Sequence, residues 1–329
     1  MIVIKKYNSN LRKVWDSFIK KSNNGTMFQT QKFLTYHINR EFINHSLIFL
    51  LKNKIIALFS ACEIVNKQHK VLYSHSGSSY GGFVFKQNLS YEVMNEIVLV
   101  FDKYCVDNHF DSTILIQSPN VYSNNHNSSF NYCLRWNKFK EVETYISHVT
   151  NISLSENLEQ LLNKRKKRYI KKLEAAKTFI IKESNAFDAF YPILLESKKN
   201  YNIKPTHSLD ELLLIKRLFK KDIILLLSFD NDVVVGGSLI FIANNNVGLV
   251  FYNVVLNKYK NSQLASFQFY KSMLLCKKMG LKYVDFGVSH IPQDKNPLTP
   301  KLSLISFKEQ FGAFGVMRHV YKKDYQIEK

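Results

Sequence analysis

The sequence is poor in cysteine and in acidic residues, and it has no long apolar run. Its four cysteines, Cys62, Cys105, Cys133 and Cys276, are scattered, and no two form a CxxC pair. That excludes a disulfide framework and a cysteine-built structural zinc site, and no metal is expected. Thiols of this kind are read as small buried hydrophobes. The six prolines carry no functional signal. The most apolar stretch, residues 47–65, is broken by Lys52-Asn53-Lys54. A spanning helix needs about 20 nearly unbroken apolar residues, so this stretch reads as two strands around a turn and no stable membrane insertion is expected. The opening Met-Ile-Val-Ile-Lys-Lys-Tyr lacks the order of a signal peptide. With reduced thiols, the expected location is cytoplasmic. P-loop and Ser-His-Asp patterns are missing, which leaves hydrolase and NTPase readings without support.

Acidic residues number 26 against 46 Lys and Arg, a formal net charge of +20. This balance excludes an acidic disordered tail, and 14% aromatic residues argue against disorder in general. It suits nucleic acid, phosphate-bearing small ligands or an anionic membrane face equally well.

A chain of 329 residues holds two domains or one unit used twice. Periodicity favours the second. In the first half, strands are read at 47–51, 55–65 and 71–75, a helix at 91–106, and a closing strand at 113–117. In the second half the same order returns: strands at 223–229, 233–243 and 247–255, a helix at 262–279 ended by Gly280, and a strand at 282–287. Each half starts with helices, at 11–20 and 31–40, then at 156–177, 187–198 and 209–220. Ser153…Glu156 and Ser208…Glu211 have the capping-box spacing. The halves are joined across 118–150.

The functional point of this pattern is the third strand of each half. Where a strand runs into a helix N-terminus, backbone N–H groups face one spot and bind pyrophosphate without any special side chain. In the second half that loop is Asn257-Lys258-Tyr259-Lys260-Asn261-Ser262-Gln263-Leu264-Ala265, with two lysines. In the first half it is Ser76-Gly77-Ser78-Ser79-Tyr80-Gly81-Gly82, glycine-rich and uncharged.

Six segments resemble, in order, the motifs of the tandem-GNAT acyltransferases. They are Phe28-Gln29-Thr30, Tyr80-Gly81-Gly82, the basic run 165–172, Phe251-Tyr252-Asn253, Val284-Asp285-Phe286-Gly287 and Phe307-Lys308-Glu309-Gln310-Phe311-Gly312. The group includes Fem-type aminoacyltransferases of peptidoglycan bridges and acyl-CoA enzymes that acylate amino-sugars. The resemblance implies an α/β (α+β) fold of two tandem GNAT-like units, each a mixed, mostly antiparallel sheet flanked by helices. The units would cover 1–142 and 143–329, with the acyl-CoA site in the second and the active site in a cleft between the halves. It also implies acyl transfer to an amine. Fem-type members use aminoacyl-tRNA and lipid-linked muropeptides; the sugar enzymes use acyl-CoA and a nucleotide-linked amino-deoxysugar. The long helical insertion of some Fem-type enzymes is missing here.

Helical spacing places Leu158, Leu162, Arg165, Tyr169 and Leu173 on one face. Arg165 on an apolar stripe needs an anionic partner, because an unpaired buried charge costs several kcal/mol. The rest of the run reads as a solvated face. In Fem-type enzymes an Arg and a Tyr four residues on contact the phosphorylated acceptor, which implies that role for Arg165 and Tyr169. Tyr252 is either the hydroxyl that protonates a leaving thiolate or a core tyrosine. Asp285 and His290, with His75 on the matching edge of the first half, are candidates to take the proton of the attacking amine. The alternatives are that Asp285 binds the turn of Gly287 and that the histidines are structural. Lys308 either salt-bridges a sugar diphosphate or is surface charge. Asn253, Val254 and Val255 would hold the thioester region, and Lys258, Lys260, Asn261, Ser262, Gln263 and Leu264 the CoA pyrophosphate. Gln29, His75, Tyr80 and Gly81 fall on the acceptor side.

These readings converge on an N-acyltransferase that passes an acyl group from acyl-CoA, either acetyl-CoA or a short hydroxyacyl-CoA, to an amine. The acceptor would be a nucleotide-linked amino-dideoxysugar, dTDP-linked for preference, feeding surface polysaccharide or O-antigen. The alternative is a Fem-type aminoacyltransferase, the one reading in which tRNA is a partner; the high charge favours it. A non-catalytic nucleic-acid-binding protein fits the duplicated strand–helix pattern poorly, and DNA is not an expected partner.

Overall fold

The computed structural model describes residues 1–66, 69–125 and 127–325. The chain divides into two compact units, Met1–Tyr145 with the segment from Met317 onward, and Ile146–Val316.

The first unit runs β1 (Ile2–Lys6), α1 (Arg12–Lys21), β2 (Ile43–Asn44), β3 (Leu47–Leu51), β4 (Lys54–Ser60), β5 (Cys62–Asn66), β6 (His69–Ser74), β7 (Gly82–Phe85), α2 (Tyr91–Asp107), β8 (Ser112–Ile116) and α3 (Ser129–Trp136). Strand β9 (Lys140–Asn151) leads into the second unit. There follow α4 (Lys164–Ala176), β10 (Ile180–Ser184), α5 (Phe187–Lys199), α6 (Leu209–Leu218), β11 (Ile223–Asp230), β12 (Val233–Ile242), β13 (Val247–Val255), α7 (Leu264–Lys278), β14 (Tyr283–Val288) and α8 (Leu302–Glu309). The end of β15 (Phe314–Asp324) belongs to the first unit.

Unit one has a sheet ordered β1-β3-β4-β7, and strands β15-β8-β6-β5-β2 adjoin in a second sheet. Pairings are antiparallel except β6 with β8. The stretch 55–65, expected as one strand, is two, because the chain changes sheets at Ala61. Opposite it, Ser46 performs the same change. The Ser46 hydroxyl accepts from Ala61 N–H and donates to Ala61 C=O, both at 3.3 Å, so the break leaves no orphaned backbone group. The core is aromatic: Phe49, Phe59, Phe83 and Phe101 are fully buried and their rings interlock. Each such ring contributes about 1.5–3 kcal/mol by leaving water.

Unit two is ordered β10-β11-β12-β13-β14-β9, antiparallel throughout except β13 with β14. Helix α7 buries Leu264, Phe267, Phe269, Tyr270, Met273 and Cys276, covering several faces. It lies so close to the sheet that a Cβ at Gly236 would meet Gln268 Nε2 at 2.5 Å and Val254 O at 2.7 Å. The architecture is the mixed α/β arrangement expected, with β6-α2-β8 and β13-α7-β14 as its two parallel crossovers.

Three local expectations need correction. Residues 31–40 form only a short 3-10 turn, Phe33–Thr35, because Thr30 and Thr35 hydroxyls bond nearby backbone instead of leaving it to a helix. The helix expected at 156–177 starts only at Lys164, where Asn163 caps it by accepting from Lys166 N–H. Ser153 forms no capping box, since Asn151 takes its N–H; the box at Ser208 and Glu211 is present. All four cysteines are free and buried. Among the described residues, no helix is long and apolar enough to cross a membrane, and no group of three or more His, Cys, Asp or Glu could hold a metal ion.

Candidate functional site

The β13-α7-β14 crossover builds the site. β13 and β14 pair at only three positions, Val247 with Tyr283, Gly248 with Val284 and Leu249 with Asp285. β13 then continues to Val255 without β14 beside it. On its other side it stays paired with β12, through a register shift that leaves Phe251 unmatched. Leu256 N–H bonds Val235 C=O, and strand alternation assigns Tyr252 and Val254 to the same edge. The N–H and C=O groups of Asn253 and Val255 therefore point to the open edge. Val254, expected to help hold the thioester, points the other way for this reason.

The helix N-terminus lies close by. Asn253 joins the elements: its Oδ1 accepts from Ser238 Oγ at 2.7 Å and its Nδ2 donates to Ala265 C=O at 3.1 Å. Ser262 Oγ accepts from Leu264 N–H, and Gln263 turns the chain at φ +63°. The N–H groups of Ala265 and Ser266, in the first turn of α7, have no helical carbonyl four residues back. Lys258, Lys260 and Asn261 are exposed beside this turn.

Beneath it lies a residue that the sequence reading missed. Lys166, not Arg165, points inward, with 5% of its surface exposed. Its ammonium donates to Gln263 Oε1 at 2.8 Å and Ser266 Oγ at 2.7 Å and lies 4.7 Å from the Phe307 ring centroid. Burial first, then the Arg165 charge, pulls its pKa down to about 8. Arg165 is exposed, 5.7 Å from the Tyr169 ring. The stripe through Leu158 and Leu162 was drawn across a helix that starts six residues later, so its phase does not carry to Arg165. Asn163 was the available signal. Arg165 bonding and charge hold the Tyr169 phenol below its usual range.

The two candidate proton acceptors of unit two are engaged. Asp285 is fully buried rather than at a cleft mouth; its Oδ1 accepts from Ser147 Oγ at 2.6 Å and Gly287 N–H at 2.7 Å. This is the turn-binding alternative, at a glycine with φ +75°. His290 Nε2 accepts from Ile146 N–H at 3.1 Å, which occupies the lone pair a base would use. Lys308 is neither surface charge nor open to a diphosphate. It is 2% exposed, and its three donors reach Gly287 O, Val288 O and Ser289 Oγ at 2.7–3.0 Å. Burial lowers its pKa to about 8. Tyr252 is buried; its hydroxyl accepts from Thr206 N–H at 3.1 Å and sits 3.2 Å from His207 Nδ1. Burial pushes this phenol up to about 12, so it stays protonated.

In unit one, Gln29 and Gly81 meet across the fold. Gln29 Nε2 donates to Gly81 C=O and its Oε1 accepts from Thr26 N–H, both at 2.9 Å. His75 is buried, bonds Ser76 C=O through Nδ1, and is lowered by burial to about 4. It is a neutral imidazole at pH 7. Tyr80 is buried against Tyr122, and the Arg318 guanidinium stands over its ring at 5.3 Å. Arg318, remote in sequence, had no local signal.

No protein-family model matches the chain, and no curated protein matches it in sequence. Solved structures do match in shape. FemX superposes with a TM-score of 0.75 at 12% identity, covering 98% of this chain and 97% of that one. The C-terminal domain of a putative lysylphosphatidylglycerol synthetase from Agrobacterium fabrum gives 0.60 at 7%, over 97% and 93%. A tandem GNAT protein from the clavulanic acid biosynthesis pathway gives 0.54 at 6%, over 98% of each. The fold is a tandem GNAT fold.

Proposed function

We propose that the chain is an acyltransferase whose second unit holds the acyl donor and whose acceptor is an amine. The observation that carries this is the open edge of β13 next to the first turn of α7, whose N–H groups have no helical carbonyl to bond. Asn253 and Val255 offer backbone groups to a thioester carbonyl and its amide-bearing arm. Ala265 and Ser266 offer N–H groups to a diphosphate, aided by the helix dipole and by Lys258 and Lys260. The donor we favour is acyl-CoA, and the acceptor a nucleotide-linked amino-dideoxysugar of surface polysaccharide synthesis, which rests on the sequence resemblance.

The reaction is direct attack of a neutral amine on the carbonyl carbon, expelling thiolate. Asp285 Oδ1 and His290 Nε2 already accept hydrogen bonds, so water is the favoured acceptor of the ammonium proton before attack. Backbone N–H groups stabilise the oxyanion as it forms. The Tyr252 phenol, protonated at neutral pH, keeps a proton for the departing sulfur only if it exchanges its contact to the 206–207 loop. A second reading, aminoacyl transfer of the Fem type, is supported by the full-length likeness to FemX and by the exposed cations Lys164, Arg165 and Arg168 on α4.

Thiol release from acetyl-CoA with a panel of dTDP- and UDP-linked amino-sugars tests the first reading. Transfer from aminoacyl-tRNA in the same buffer tests the second. Thiol release dependent on an amino-sugar is expected; release with none of them, alongside transfer from charged tRNA, replaces the first reading by the second.

A further inference from the structure

Among the described residues, Arg318 is a cation with no carboxylate partner and with a buried donor unmet. It lies on the part of β15 that belongs to unit one, half-buried, with its guanidinium carbon 5.3 Å from the Tyr80 ring centroid and 5.2 Å from that of Tyr145. Its Nε is buried and has no hydrogen-bond partner among the described residues. Among the described residues no carboxylate comes within ion-pair distance of it. Glu143 accepts from the Tyr145 hydroxyl at 2.7 Å.

Ring faces answer the charge of a guanidinium but accept none of its five N–H donors in the plane. Elsewhere in this protein buried cations have their donors met: Lys166 by Gln263 and Ser266, Lys308 by Gly287, Val288 and Ser289. Arg318 alone among these three leaves a buried donor open, at a cost of about 1–3 kcal/mol. Tyr73 and Tyr145 stand close enough to feel its charge, which gives the spot phenol groups as well. A planar oxyanion is the partner that a guanidinium edge fits, by two parallel N–H···O bonds.

We infer that Arg318, with Tyr80 and Tyr145 as its aromatic walls, is an oxyanion subsite of unit one that binds a phosphate or carboxylate group. In calling that group part of the acyl acceptor, the inference rests on the proposed acyl transfer; the site itself does not. The subsite fixes the acceptor by its anionic end. Arg318 is therefore a binding residue and takes no part in bond making.

The test is calorimetric titration of the full chain at low ionic strength, with inorganic phosphate in one arm and acetate in the other. Wild type, Arg318→Gln and Arg318→Lys are compared, each checked for folding by circular dichroism. One anion binds wild type, and both variants lose about tenfold or more in affinity, the value of one or two charge-assisted bonds. The lysine variant keeps the charge and loses the fork, so it decides the matter if the glutamine variant does not fold. Which arm responds separates phosphate from carboxylate. Wild-type affinity in a folded variant, or no binding of either anion to wild type, overturns the inference. Anion binding through Arg318 with no acyl transfer from any donor overturns the proposed function and leaves the subsite standing.

Discussion

The two parallel crossovers share a strand–helix–strand frame but differ in what lies between the first strand and its helix. In unit two, β13 ends at Val255 and α7 begins at Leu264, so strand edge and helix N-terminus stay together. In unit one, β6 ends at Ser74 and α2 begins only at Tyr91, because β7 intervenes and pairs with β4 in the other sheet. The β6–β8 edge is also closed. Pairing runs to the last residue of β6, Ser74 Oγ accepts from Ile116 N–H, and Gly81 N–H donates to Ile116 C=O. Helix α2 is capped by its own Ser90. One crossover thus keeps an open strand edge beside a helix N-terminus, and the other closes that edge. The difference teaches that topology offers a site and that local packing decides whether it remains.

The most damaging way to break this comparison is to unseal the first crossover. A Cβ on Gly81 would fall 2.4 Å from both Ser74 C and His75 N, which are backbone and cannot turn aside. Gly81→Ala is expected to cost about 3 kcal/mol, the upper end for overpacking a tight site. Chemical denaturation should show it as an earlier first transition. An unchanged unfolding curve would mean that the seal gives way freely and that the units differ less than described.

Much of this architecture was legible in the sequence. The strands Leu47–Leu51 and Val247–Val255 emerge at their full lengths because each is a largely apolar run bounded by turn residues. The helix Tyr91–Asp107 emerges because its apolar residues recur at helical spacing. The sheet change at Ala61 left no mark, since both sides of it are equally apolar. Restarting α4 at Asn163 moved the inward position by one residue, from Arg165 to Lys166. In a run of basic residues, composition does not show that shift; only the capping asparagine does. Arg318 and Tyr80 are brought together by the return of β15, which no local pattern encodes.

A smaller effect tests the chemistry of the open cradle. Asp285→Ala would leave the Ser147 hydroxyl and Gly287 N–H buried without an acceptor, a loss of about 2 kcal/mol in thermal unfolding. Asp285→Asn keeps an oxygen for both and is expected to retain transfer within about tenfold of wild type, whereas removing a general base costs about 100-fold or more. A collapse of turnover in a folded Asp285→Asn protein would return this residue to catalysis.

The smallest effect belongs to Lys166, the post between α4 and the first turn of α7. Its folded pKa of about 8 lies below the ordinary lysine value of 10.5. Between those values the unfolded chain binds more protons than the folded one, so unfolding free energy rises with pH across that window. The contribution is complete above 10.5 and is lost as pH falls through 8. Lys308, lowered to about 8 as well, adds a slope of the same sign. Lys166→Met removes one of the two. Ser266 Oγ and Gln263 Oε1, 3.0 Å apart, then keep each other as partners, so no orphaned group remains. Stability at pH 7 is expected to stay level or rise by about 1 kcal/mol, as replacing a buried charge by an apolar chain often does. Melting curves from pH 7 to 10.5 should show a shallower rise than wild type. A variant with the full wild-type slope would mean that Lys166 titrates as an ordinary surface lysine and that nothing buried holds up the open cradle.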